Sequence, residues 1–112
     1  MQVLSFRLYL AQRISAMIMA PLLLLHLGLI IFATRGGVDA AEILGRTQGS
    51  LIWALTYGIM VLAVSVHATI GLRVIVYEWF GKTGAVLNSF SAIVLIALLS
   101  LGWRAVYAVV VI

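Results

Sequence analysis

Residues 50–73 read SLIWALTYGIMVLAVSVHATIGLR. From Thr47 to Leu72 there is no Asp, Glu, Lys or Arg. A helix needs roughly 20 apolar residues to cross a hydrocarbon core of about 30 Å, so this run is long enough to span a bilayer. The same punctuation recurs on both sides of it. Residues 14–34, between Arg13 and Arg35, are free of charge, and so are residues 83–103, between Lys82 and Arg104. In lipid each backbone amide must bond within its own segment, which makes such spans helices. The expected fold is therefore all-α, an integral membrane protein with three transmembrane helices at about 14–34, 50–76 and 85–110. Residues 1–112 form one membrane domain with no soluble domain left over.

Composition excludes most other classes. The chain is 65% hydrophobic and only 9% charged, whereas a soluble domain averages about 25% charged residues. A domain of this size could not bury so much apolar surface in one core. There is no cysteine, so disulfides, structural thiolate zinc and Cys-ligated iron–sulfur clusters are ruled out for this chain. The net charge of +4 comes from bases scattered at segment ends, which gives no nucleic-acid patch. The first apolar run is too long and begins too late for a signal peptide.

The connectors differ. TRGGVDAAEILGRTQGS, residues 34–50, reads as a surface loop with a short helix in its middle. YEWFGKTG, residues 77–84, reads as a tight loop whose Gly81 and Gly84 end and restart helices. Pro21 falls mid-span and should bend helix 1, freeing a carbonyl near Met17. Arg7, Arg13, Arg73 and Lys82 lie on the side of the N-terminus and second connector. Arg35 and Arg46, offset by Asp39 and Glu42, lie on the other side with Arg104. The positive-inside rule places the N-terminus and the second connector in the cytoplasm.

His26 and His67 are the only histidines, and both fall inside spans. An ionisable group at membrane depth is costly and usually faces a bundle interior. One reading is a hydrogen bond to a neighbouring helix. The other is axial ligation of haem iron by a neutral imidazole. Counting from the outer ends of their helices, His26 lies about 10 Å deep and His67 about 24 Å deep. A difference of about 14 Å is too large for two ligands of one iron. Within one chain the two therefore serve different haems, or one is not a ligand. Gly71 lies one turn from His67 on the same face, and Ala63 one turn the other way. Together they leave room for a flat macrocycle, or for close helix packing. Arg73 could pair with a haem propionate or snorkel to the interface.

HATIGLRVIVYEWFG, residues 67–81, resembles the second-helix signature of the cytochrome b membrane-anchor subunits of succinate dehydrogenase and fumarate reductase. The matching residues are His67, Gly71, Leu72, Arg73 and Glu78. QRISA, residues 12–16, resembles that family's segment at the start of helix 1, through Arg13, Ser15 and Ala16. The resemblance implies that His67 is a ligand of haem b, and that a helix 1 histidine such as His26 can ligate a second haem. It implies a quinone site near the cytoplasmic face lined by Arg13, with Glu78 close to it and to the iron–sulfur subunit; Ser15 or Tyr9 could assist Arg13, and Glu78 or Tyr77 could relay protons. The family's aspartate is Glu78 here, its histidine before the arginine is Gln12, and its serine four residues before the arginine is Tyr9.

The implied partners are a second membrane-anchor subunit completing a helical bundle, an iron–sulfur subunit, and a flavoprotein carrying FAD. The implied cofactor is haem b, one or two per complex, with quinone as substrate. The implied location is a bacterial-type cytoplasmic membrane. Two other readings stand beside this one. In the first, a haem-free anchor tethers a soluble dehydrogenase, its histidines are packing residues, and Tyr9, Arg13, Tyr77 and Trp79 form an interfacial belt. In the second, the chain is a small oligomeric transporter subunit. The near absence of charge within the spans argues against the transporter.

Overall fold

The computed structural model describes residues 5–111. Three long helices and one short helix follow in order: α1 (Phe6–Gly36), α2 (Ala40–Thr47), α3 (Leu51–Phe80) and α4 (Gly84–Val110). Each of the three long helices is long and apolar enough to cross a membrane. α3, at 30 residues, is about 45 Å long and so overhangs a hydrocarbon core of about 30 Å at its ends.

Local chemistry sets the boundaries. Ser5 caps α1, its hydroxyl oxygen accepting from the Leu8 amide at 3.2 Å, and this carries the helix well beyond the uncharged run, past Arg13 and Arg7. α1 continues unbroken through Pro21, which lacks the N–H that the Met17 carbonyl would otherwise accept. It ends at Gly37, with φ 71°. Asp39 caps α2 by accepting from the Glu42 amide at 2.8 Å, and Ser50 caps α3 by accepting from the Trp53 amide at 3.2 Å. Gly81, with φ 64°, closes α3 in the left-handed conformation that side chains disfavour.

α3 is the central helix, packed against α1 on one side and α4 on the other. The buried positions at these seams are mostly small: Ser15 on α1 and Ala63, Ser65 and Thr69 on α3. Small residues let helix backbones approach where lipid offers no hydrophobic drive between helices. The tightest point is Gly102 on α4, where any Cβ would overlap the Val61 side chain.

α2 fastens the end of the bundle that carries the first connector. Thr47 donates its hydroxyl to the Val109 carbonyl at 2.6 Å, and the Gly49 amide donates to the Val110 carbonyl at 2.8 Å. Both carbonyls belong to the last turn of α4, where no amide within the helix can reach them. Large apolar side chains stay exposed along all three spans, among them Leu24, Phe32, Ile93 and Leu101. So much apolar surface suits lipid and neighbouring helices rather than water.

Candidate functional site

The two stretches singled out in the sequence meet in space. His67 of α3 points at α1, with Nδ1 3.3 Å from the Gln12 carbonyl oxygen. A carbonyl can only accept, so Nδ1 carries the proton and donates. In a neutral imidazole with its proton on Nδ1, the lone pair lies on Nε2. The same carbonyl accepts from the Ser15 hydroxyl at 2.9 Å. Ser15 is 5% exposed, held between α1 and α3 with its proton directed at Gln12.

Gly71 lies on the His67 side of α3, one turn on. A Cβ built there would meet only the Gln12 Nε2, at 3.8 Å, an ordinary contact. The chain's own packing does not demand glycine at this position, in contrast with Gly102. Gly71 leaves that turn of α3 without a side chain, and the Gln12 amide is the group beside it. A protonated Nδ1, a free Nε2 and an uncrowded neighbouring turn are what a haem iron and its macrocycle require of a histidine ligand. The residues present therefore fit one half of a haem site.

His26 sits elsewhere. Its ring meets the Tyr57 ring edge-on, with centroids 5.7 Å apart and planes at 78°. His67 contacts Gln12 and His26 contacts Tyr57, so the two histidines are separated by about 15 Å counted along α3 and about 21 Å counted along α1. The first agrees with the separation expected from depth, and either keeps the two from sharing an iron. Around His26 a groove of about 260 Å³ lies between α1, α3 and α4 and is floored by α2. Arg46 lines it, with its guanidinium stacked 4.0 Å from the centre of the Trp53 ring.

Tyr9 and Arg13 are four residues apart on one exposed face of α1, and Glu78 is exposed near the end of α3. All three lie toward the end of the bundle nearer His67. Arg73 is not with them and not beside His67. Its Nη1 donates to the Ser91 hydroxyl of α4 at 3.1 Å. Six residues separate it from His67, which puts it about 120° around α3. Among the described residues no three His, Asp or Glu side chains gather as a metal site, whereas haem needs only one side chain from each side of its plane.

Sequence reasoning did not assign a role to the Gln12 carbonyl, Thr69 or Ser91. A backbone carbonyl has no signature in sequence, and hydroxyls on apolar helices are common. A model of the succinate dehydrogenase/fumarate reductase transmembrane subunit family matches residues 3–108. No curated protein and no solved structure matches the chain.

Proposed function

The chain belongs to the succinate dehydrogenase/fumarate reductase transmembrane subunit family, and on that premise we propose that it is one of two membrane anchors that hold a haem b between them. The observation that carries this reading is the bond between His67 Nδ1 and the Gln12 carbonyl, which leaves Nε2 available as an axial ligand. Haem b, when bound, supplies a one-electron redox centre between the iron–sulfur clusters of a soluble partner and quinone in the membrane. His67 would offer Nε2 to the iron, the Gln12 carbonyl would hold the ring through Nδ1, and Gly71 would keep the adjoining turn free of a side chain.

The quinone contacts are assigned to Arg13, Tyr9 and Glu78. Arg13 offers a charged donor to a quinone oxygen, Tyr9 a phenol on the same face of α1, and Glu78 a carboxylate able to hold a proton near the interface. Ser15 works inward, on the Gln12 carbonyl, rather than toward quinone. If the complex holds a second haem, His26 is its ligand. The N-terminus and the loop after α3 face the cytoplasm, where the more basic flanks lie, and the soluble iron–sulfur and flavin subunits dock there. The haem-free anchor remains the competing reading.

A reduced-minus-oxidised spectrum of the purified complex tests the proposal. A b-type band is expected in the wild type and is expected to vanish in an assembled His67→Ala complex. Full retention of the band in that variant would sink the ligand assignment.

A further inference from the structure

A second cavity, of about 250 Å³, lies between α1, α3 and α4, to one side of His67, and is walled by Leu8 of α1, Val66 and Ile70 of α3, and Leu95 of α4. Thr69, two residues from His67, lies about 160° around the helix from it. The α3 residues that line the cavity, Val66, Thr69, Ile70 and Arg73, fall about 60–160° around the helix on one side of His67, so the cavity opens beside the His67 face rather than on it.

Three polar side chains line the cavity: Thr69, Arg73 and Ser91. Thr69 is 7% exposed, and its hydroxyl has no hydrogen-bond partner. A threonine in a helix ordinarily returns its hydroxyl to the carbonyl four residues back. Thr34, Thr47 and Thr56 all do so in this chain. Arg73 lies one turn beyond Thr69. Its Nη1 is satisfied by Ser91, which passes its own proton to the Leu87 carbonyl at 2.9 Å. Its Nε is buried and has no partner. A guanidinium does not lose its charge in a protein, and no carboxylate lines this cavity. Thr69 and Arg73, one turn apart on α3, and Ser91 of α4 thus present an uncompensated cation and two hydroxyl-bearing side chains to an apolar-walled hole.

The ligand must bring an anionic, hydrogen-bond-accepting head on an apolar body. A guanidinium favours phosphate, which it can bind through two N–H groups. Depth favours the same class. Arg73 is seven residues from the end of α3 at Phe80, about 10 Å. Shared equally, the overhang of α3 beyond the hydrocarbon is about 7 Å per end. Arg73 then lies about 3 Å inside the hydrocarbon edge, next to the headgroup layer where lipid phosphates sit, and basic pockets between transmembrane helices bind such head groups. We propose that the Thr69–Arg73–Ser91 cavity binds the phosphate of an anionic phospholipid, with an acyl chain along Val66 and Leu95.

The test uses the purified, detergent-delipidated complex, with binding of added phosphatidylglycerol measured by native mass spectrometry. Wild type is expected to hold one phosphatidylglycerol tightly per chain, and phosphatidylcholine is expected not to replace it. Arg73→Gln and Thr69→Val each weaken that binding by about tenfold or more. Arg35→Gln, at the other end of the bundle, leaves it unchanged. Thr69→Val keeps the volume and the Arg73–Ser91 bond, so it serves where Arg73→Gln disturbs assembly. Equal phosphatidylglycerol binding in wild type and Thr69→Val overturns the site. Saturation of wild type by inorganic phosphate alone, with no lipid held, overturns the lipid assignment. So does a cavity closed to lipid by a partner carboxylate on Arg73. The outcome does not depend on the haem spectrum, so this proposal and the haem assignment fail separately.

Discussion

The Nδ1 of His67 lies 3.3 Å from the carbonyl oxygen of Gln12, joining α3 to α1 through a backbone group. Ser15 donates to the same oxygen at 2.9 Å. Two donors sharing one acceptor weaken each other's bond, so the serine moderates how strongly the imidazole proton is held. Hydrogen bonds to the outer nitrogen of a metal-bound histidine set its basicity as a ligand.

Ser15→Ala removes the competing donor. If His67 ligates haem as proposed, the strengthened Nδ1–H bond to Gln12 makes the imidazole a more electron-rich ligand and favours ferric haem. The haem midpoint potential is expected to fall by about 20–60 mV, the equivalent of a hydrogen-bond change of about 0.5–1.5 kcal/mol for one electron. Ser15→Thr restores the wild-type value. A redox titration reads this directly, and an unchanged potential in Ser15→Ala would separate the serine from the histidine.

Two glycines should behave oppositely. Gly102→Ala forces a Cβ into Val61 and is expected to cost about 1–3 kcal/mol of stability, seen as a lowered thermal midpoint and poorer assembly. Gly71→Ala meets only an ordinary contact with Gln12 and should leave assembly intact. On the proposed haem site, its effect should fall on haem content, because the added methyl would stand beside the ligand turn. Normal haem content in Gly71→Ala would mean that this turn is not its bed.

Arg13 is tested by comparing electron acceptors. Arg13→Ala is expected to slow quinone reduction about tenfold or more, the loss of one charged hydrogen bond, while electron transfer to an artificial acceptor at the soluble subunits is kept. Equal loss of both activities would assign Arg13 to assembly instead.

Much of the fold was legible because charge punctuates the chain. The gaps between Arg13 and Arg35, Arg46 and Arg73, and Lys82 and Arg104 mark three spans, and glycine pairs mark their turns. The start of α1 at Phe6 was less legible, because arginines are tolerated in the part of a helix that leaves the hydrocarbon, and the Ser5 cap extends the helix there. The level difference between His26 and His67 followed from residue rise alone. The direction of Arg73 did not. Its path to Ser91 depends on the register of α3 against α4, which the packing of Val61 into Gly102 helps to set, and apolar helices with no marked stripe carry little of that register in their sequence. The Gln12 contact was hidden for a different reason: its acceptor is a backbone atom that every residue owns.

The most direct measurement is a pyridine haemochrome assay of haem b per copy of this chain, made on purified wild-type and His67→Ala complexes side by side. Haem b in the wild type, with at least one haem fewer per chain in the assembled variant, is the predicted result. A wild-type complex with no haem, or a variant with its full complement, would contradict His67 as an axial ligand and leave the chain as a haem-free anchor or with its haem held elsewhere.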